Sequence, residues 1–167
     1  MKIILSRKGF DSANGGYPSP ILPDGRMISL PIPSNDLTRY SDLKINPDQT
    51  YFDLMRDLNS EIKYKNDWHK LTSDTKCHLD PDLFAGAIQR DKQWKPCFGQ
   101  IKHAQSHLSK KGVSDNDIYL FFGWFRRTIF ENGKYQFENS AQDLHIIFGY
   151  LKIGEIKQIN LNTIIPY

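Results

Sequence analysis

IYLFFGWF, residues 118–125, is a continuous apolar run that is rich in aromatic side chains. A polar turn, residues 113–117, precedes it. A short apolar run bounded by turns, with aromatic and β-branched side chains, is typical of a strand that is buried on both faces. We therefore predict that residues 118–125 form the central strand of a sheet.

The segments that follow predict antiparallel partners for this strand. Asn132-Gly133 is a strong signal for a tight hairpin turn, with arms at residues 128–131 and 134–138. The apolar segment at residues 144–156 predicts a further strand, bent or bulged at one of its glycines.

The beginning of the chain predicts two more strands, residues 2–10 and 27–32, joined by a polar loop rich in glycine and proline. Glycines let backbone amides approach a ligand closely, and prolines fix the shape of a loop. Such a loop can present cations, a carboxylate and a hydroxyl to a phosphate-bearing or sugar-bearing ligand. An ordinary hairpin with a stiffened loop is the alternative. The polar residues in question are Arg7, Lys8, Asp11 and Ser12.

Helices are predicted in the middle of the chain. Residues 50–64 carry apolar side chains at helical spacing, a short helix can start at Pro81, and residues 100–111 form another helix that Gly112 ends. Residues 65–76 are polar and predict a loop. We therefore expect an α+β fold with a mainly antiparallel sheet, which could curl into a small barrel, and two or three helices packed against it.

Length and composition narrow the class of protein. The 167 residues predict a single domain, residues 1–167, with 39% hydrophobic residues and a formal charge of +3. No membrane span or secretory signal is visible, so we expect a cytoplasmic protein. The slight basic excess permits contact with nucleic acid. No nucleotide-cofactor motif is present, which leaves any cofactor unknown, and the absence of CxxC pairs argues against a metal site.

His78, Asp80 and Asp82 form the first cluster of candidate site residues. In an extended chain, residues two apart point to the same face, so the three side chains could share acid and base roles. A structural alternative is that Asp80 caps a helix that starts at Pro81.

Further candidates lie on predicted helices and strands. His107 shares a helix face with His103, four residues before it. Arg126 follows the aromatic strand and could bind phosphate, although a surface ion pair is the alternative. Trp94 or Trp124 could stack on a base, although aromatic side chains more often pack in the core.

Several motifs together resemble a known family. They are SRKGFDS with GGYPSPI and PDGRMISLPIP, then CHLDPDL, FGQ with a following helix, DIYLFFGWFR and HIIFGYLKIGEI. In this order they are similar to the third family of nucleotide modification associated domains, over nearly the whole chain. Members of that family extend past Tyr167, so the resemblance implies a shortened member.

The resemblance implies a role in nucleotide or DNA modification and in conflict between phage and host. We expect an enzyme acting on a nucleotide or a modified base. The alternatives are a non-catalytic reader or sponge, and a subunit that docks on a protein partner. The oligomeric state is left open. Catalysis would fall to Asp11, His78 and Asp80, and ligand binding to Arg7, Lys8, Ser12, Asp82, Trp94, His107, Trp124 and Arg126.

This hypothesis carries a spatial expectation. The opening hairpin should fold over the aromatic core, so that distant charged side chains line one hollow. The residues expected there are Arg7, Asp11, His78 and Arg126.

Overall fold

The computed structural model describes residues 1–100 and 102–158. Within them the fold is mixed, with many strands and two helices, which agrees with the predicted α+β class. The elements are β1 (Ile3–Arg7), β2 (Ser19–Ile21), β3 (Lys44–Asn46), β4 (Gln49–Thr50), α1 (Tyr51–Leu58), β5 (Glu61–Tyr64), β6 (Asp67–Lys70), α2 (Lys102–Lys110), β7 (Ile118–Glu131), β8 (Lys134–Phe137) and β9 (Leu144–Lys152).

The main sheet is built around β7, as the aromatic run predicts. β8 and β9 pair with it antiparallel, but β1 and β2 pair with it parallel, so the sheet is mixed. The two small sheets, β3–β4 and β5–β6, are antiparallel. The strands of the described residues form open sheets and do not close into a barrel.

The hairpin after β7 confirms the prediction from Asn132-Gly133. Both residues have positive φ, 52° and 77°, which matches the twist of the flanking strands in a two-residue turn. Thr128 pairs with Phe137, and the ladder runs to the turn. β9 is bulged as expected: Gly149 pairs with Phe121, and the register then shifts by one residue.

The first helix is shorter than predicted. Thr50 and Asp53 form a capping box at its start, and it ends at Leu58 because Asn59 has an extended backbone. The rest of the predicted helix forms β5, where Lys63 exchanges backbone hydrogen bonds with Gly15. The predicted loop at 65–76 contains β6, so it too is partly wrong.

Two other predicted elements are absent. Residues 27–32 do not form a strand: Met27 makes an isolated bridge with Ile21, and residues 28–32 make none. The helix expected to start at Pro81 does not form, because the backbone of Asp82 bonds twice to Cys97, at 2.9 Å each. Those long-range bonds use the backbone N–H and C=O of Asp82, which a helix would need for its own hydrogen bonds. The helix predicted at 100–111 is confirmed as α2.

The buried side chains form two clusters. The larger surrounds Phe10, Tyr40 and Leu54, and the second contains Tyr119 and Phe121 on one side of β7. We call that side the inner face of the main sheet and the opposite side the outer face. Side chains on the outer face of β7 are only partly buried, so the expectation of burial on both faces is wrong.

None of the helices that the structure describes is long and apolar enough to cross a membrane.

Candidate functional site

Lys8 and Asp80 meet beside the inner face, although they are far apart in sequence. Lys8 follows β1, and its amide continues the ladder by donating to Phe122 O at 2.9 Å. Its Nζ lies 2.7 Å from Asp80 Oδ2, and the two side chains are only 16% and 9% exposed. The other carboxylate oxygen accepts a hydrogen bond from the Gly99 amide at 2.8 Å. The pair is therefore largely removed from water, with each charge compensated.

An aromatic ring lies next to this pair. Lys8 Nζ is 4.4 Å from the centroid of the Phe98 ring, within the range of a cation–π interaction. Phe98 also packs edge-on against Tyr119 and Phe121, with centroid distances of 4.7 and 5.1 Å. The ring therefore links the charged pair to the second buried cluster.

Asp82 and Trp94 form a separate cluster with Arg90. The guanidinium of Arg90 binds both oxygens of Asp82, at 2.7 and 2.5 Å, and lies 4.3 Å from the Trp94 ring centroid. Trp94 Nε1 donates to the same carboxylate at 3.2 Å. These contacts use the hydrogen-bonding capacity of Asp82 to close the segment between Asp82 and Cys97.

His78 does not share a face with the two aspartates. Its Nδ1 lies 2.5 Å from Asp36 Oδ2, and both side chains are about half exposed. Asp80 instead contacts Lys8, and Asp82 contacts Arg90. The shared arrangement expected from the spacing of two is therefore not observed.

The opening loop is stabilised by its own side chains. Asp11 Oδ1 accepts hydrogen bonds from the amides of Ala13 and Asn14, at 2.8 and 2.7 Å, which is an Asx-type turn. The backbone oxygen of Ser12 accepts one from Lys63 Nζ at 3.2 Å. Asp11 therefore bonds the backbone of its own loop.

The two loop glycines make room for aromatic rings of the protein itself. A Cβ on Gly15 would lie 2.0 Å from the Phe10 ring, and one on Gly16 would lie 2.8 Å from Trp68. Both glycines also have positive φ, 88° and 85°. The close approach that we expected for a ligand is thus made by Phe10 and Trp68.

A groove of about 480 Å³ runs between β1 and α2. We call it the β1–α2 groove. His107 is among its lining residues, as are the rings of Phe98 and Tyr119. Two lysines, Lys2 and Lys111, also line it, and none of the described lining residues is a carboxylate. The groove lining therefore combines apolar side chains with two lysines.

The partners of these groups set the electrostatics of the groove. Lys2 Nζ donates to the Gly112 carbonyl and lies 3.9 Å from Asp117, so Lys111 is the less engaged of the two lysines. Burial, and then the nearby Asp117 carboxylate, raise the pKa of Tyr119 above its ordinary value. The phenol thus stays protonated at neutral pH.

Arg7, Trp124 and Arg126 lie on the outer face. Arg7 pairs with Phe122 across the parallel ladder, and side chains alternate along each strand. Arg126 Nε donates to Asp143 Oδ1 at 2.6 Å. That hydrogen bond, helped by Trp124 and by the charge of Arg126 and opposed by partial desolvation, lowers the pKa of the Asp143 carboxyl.

The residues expected in one hollow therefore lie in different surroundings. Arg7 and Arg126 are on the outer face, Asp11 is in the opening loop and His78 is beside Asp36. None of the four lines the β1–α2 groove. The side chain of His103 lies outside the described residues.

Comparison with protein families identifies the chain. Residues 2–164 match the family model of nucleotide modification associated domain 3. The chain belongs to this family. Comparison with the curated proteins and with the solved structures gave no match. Membership in the nucleotide modification associated domain 3 family associates the chain with nucleotide modification, and the family description names no reaction.

The matched segment of the nucleotide modification associated domain 3 family includes all the side chains that line the groove. Across the part of the chain that the structure describes, no three His, Cys, Asp or Glu side chains are grouped to hold a metal ion. What the groove offers a ligand is aromatic surface, aliphatic surface and positive charge.

Sequence reasoning missed Arg90, Phe98 and Lys111. Arg90 lies in a polar segment without a pattern, and Phe98, although part of the FGQ motif, directly follows the exposed Cys97. Only Lys111 carried a usable signal, because it directly follows the helix that holds His107. The two others become visible only through contacts made across the fold.

Proposed function

We propose that this chain binds a nucleotide, or one nucleotide of a nucleic acid, in the β1–α2 groove. The supporting observation is the composition of the groove lining: two lysines, a histidine and aromatic rings, with no carboxylate among the described lining residues. A phosphate would contact Lys111 and His107, and a base would pack against Phe98. Family membership in nucleotide modification associated domain 3 agrees with this ligand class.

The dimensions of the groove fit the proposal. Small-molecule sites usually have volumes of about 300–1,000 Å³ and an apolar lining with few polar groups. The groove has about 480 Å³, and Ile4, Leu108 and Val113 supply its aliphatic part. The proposed setting is a cytoplasmic protein of DNA or nucleotide modification in conflict between phage and host.

For an enzyme, Asp80 is the best-placed catalytic residue of the three predicted. Its partner Lys8 lies against Phe98, and Phe98 lines the groove. We propose that Lys8 positions the Asp80 carboxylate and that ligand binding frees one carboxylate oxygen to accept a proton from the substrate. Asp11 and His78 make other contacts, so they rank below Asp80.

A non-catalytic reader is the second candidate. Both oxygens of Asp80 are already occupied, by Lys8 and by the Gly99 amide. A carboxylate in this state stabilises the wall of a binding site without taking part in a reaction. The same groove would then hold a modified base or a signalling nucleotide unchanged.

A binding screen with matched variants tests the groove. Nucleoside monophosphates and the corresponding nucleosides are added to the full chain, and the thermal midpoint and the Kd are measured. Lys111→Ala should weaken the binding of a monophosphate about tenfold, because a charge-assisted hydrogen bond is lost. It should leave nucleoside binding unchanged. Lys95→Ala, an exposed lysine outside the groove, is the control. Equal monophosphate affinity in Lys111→Ala and the unmodified chain would overturn the groove assignment.

Mass analysis of each bound ligand separates the enzyme from the reader. An enzyme converts the ligand, and Asp80→Asn should then abolish conversion while Kd changes less than threefold. A reader returns every ligand unchanged. If Asp80→Asn converts the ligand at the original rate, the catalytic role of Asp80 is rejected.

A further inference from the structure

The outer face of the main sheet is unusually apolar for a surface. Along β7, the outward positions are as hydrophobic as the inward ones, yet among residues 1–100 and 102–158 only the inner face is covered by a core cluster. Leu5, Ile147 and Tyr150 are 65%, 50% and 71% exposed. With Ile3 they expose on the order of 500 Å² of side chain, which is in the range of the largest and often functional patch on a monomer.

The parts of the three strands that form this face, β1, β9 and residues 118–126 of β7, have no acidic residue. Within β1, β9 and residues 118–126 of β7, the charged side chains are Arg7, Arg126 and Lys152. The Asp143 carboxylate, directly before β9, is bound to Arg126 at 2.6 Å. A second copy of the chain would bring the same cations together, which disfavours self-association. A polyanion complements the face.

Aromatic side chains stand in positions suited to stacking. Phe122 and Trp124 are alternate residues of β7, about 6.6 Å apart along the strand. Tyr150 pairs with Leu120 on the neighbouring strand, and Arg7 pairs with Phe122. Tyr150 is exposed, whereas Phe122 and Trp124 are partly buried. A sheet face that presents aromatic rings between flanking cations resembles the arrangement by which proteins bind single-stranded nucleic acid without strong sequence preference.

The outer face is continuous with the β1–α2 groove. Ile3 and Leu5 point to the outer face, and both also line the groove. A single strand of nucleic acid that lies across β7 and β1 can therefore extend over the edge of β1 and place one of its nucleotides in the groove.

We propose that the outer face binds single-stranded nucleic acid and that the groove receives one nucleotide of the bound strand. The inference rests on the proposed function of the groove and names its substrate class, a polynucleotide. Bases stack on Phe122, Trp124 and Tyr150, and phosphates contact Arg7 and Lys152.

Binding of labelled oligothymidylate and of thymidine monophosphate, measured across a salt series, tests this inference. The unmodified chain should bind the oligonucleotide more tightly, with an affinity that falls as salt rises. Tyr150→Ala should weaken oligonucleotide binding about tenfold through loss of stacking. It should leave monophosphate binding unchanged. Arg7→Ala should lower the slope of log K against log salt by about one.

Two control variants remove the same chemical groups, an aromatic ring and a guanidinium, at positions outside the outer face. Phe84→Ala removes a half-exposed ring, and Arg39→Ala removes an exposed guanidinium. Both should bind the oligonucleotide like the unmodified chain. Because Tyr150 and Arg7 are exposed, their variants should keep the thermal midpoint of the parent.

Two results would overturn the inference. One is equal oligonucleotide affinity in Tyr150→Ala and the unmodified chain. The other is a dimer, seen by sedimentation equilibrium, that Tyr150→Ala dissociates, which would assign the face to a protein interface. If Tyr150→Ala weakens oligonucleotide binding while Lys111→Ala leaves monophosphate binding unaltered, the groove assignment alone fails.

Discussion

The hydroxyl group of Tyr17 is buried, and within the described residues it has no hydrogen-bond partner. The Tyr40 hydroxyl, in the same core cluster, donates to Pro31 O at 2.6 Å. Burial raises the pKa of both phenols above the ordinary value, so both stay neutral over the working pH range. The two tyrosines thus form a matched pair that differs in hydrogen bonding.

We predict opposite effects of the same substitution at these two positions. Tyr17→Phe removes an unsatisfied polar group and should raise the free energy of unfolding by about 1 kcal/mol. Tyr40→Phe removes a made hydrogen bond and should lower it by about 1 kcal/mol. Urea unfolding at neutral pH gives both values. A loss at Tyr17 as large as that at Tyr40 would mean that the Tyr17 hydroxyl has a partner in solution.

At single residues, the sequence indicated which side chains carry charge but not what they bind. Lys8 and Asp80 were both candidates, and they form one ion pair because β1 and the segment around Asp80 meet in the fold. Nothing local encodes that contact. Gly15 likewise indicated that another group approaches the backbone closely. That group is the ring of Phe10, and only the packing of the fold shows it.

At the level of elements, the start of α1 is the best-defined local feature. Thr50 Oγ1 accepts a hydrogen bond from the Asp53 amide at 3.1 Å and donates to Asp53 Oδ2 at 2.7 Å. The Thr50 amide donates to the same oxygen at 3.0 Å. The side-chain hydrogen bond first, and the backbone one after it, lower the pKa of Asp53 below its unfolded value of 3.8 against partial desolvation. The box therefore couples the stability of α1 to pH.

The sign of this coupling leads to a prediction. A lowered folded-state pKa adds stability above pH 3.8, and this is lost as pH falls through the folded value. Thr50→Ala should therefore cost about 1 kcal/mol at pH 7 and less in acid, where Asp53 is protonated in both proteins. Denaturant unfolding of Thr50→Ala and of the unmodified chain, at pH 7 and in acid, measures the difference in free energy of unfolding. The control is Ser109→Ala, at an exposed position of α2, and its effect on the free energy of unfolding should not depend on pH. If Thr50→Ala lowers the free energy of unfolding equally at pH 7 and in acid, the coupling is contradicted.

Elements with strong local signals were predictable, and those decided by distant partners were not. The Asn132-Gly133 turn and α2 follow from turn chemistry and helical periodicity. The helix expected from Pro81 failed because Asp82 bonds to Cys97 and Arg90. β1 was predicted as a strand, but its parallel pairing with β7 depends on the order in which the chain crosses the sheet.

On the scale of the whole molecule, the alternation of side chains along a strand explains why the candidate site residues lie on two faces of the sheet. Arg7 ends β1 and Lys8 follows it with its amide still bonded to β7, so the two side chains lie on opposite sides of the sheet. Lys8 reaches Asp80 on the inner face, whereas Arg7 joins Trp124 on the outer one. The sequence identified both groups of residues, but only the three-dimensional arrangement shows that one sheet separates them.

The same sheet ties the two core clusters together, which predicts how the chain unfolds. Thr128 Oγ1 of β7 donates to Ile21 O at 2.9 Å, and Lys8 bonds to Asp80. We expect one cooperative transition, with coincident midpoints by tryptophan fluorescence and far-ultraviolet circular dichroism. Leu54→Ala in the larger cluster should lower that midpoint by several degrees, because burial is lost and a cavity forms. Phe121→Leu in the other cluster should lower the same midpoint. Two separate transitions, each sensitive to only one of these variants, would divide the chain into two folding units, because each cluster would then melt without the other.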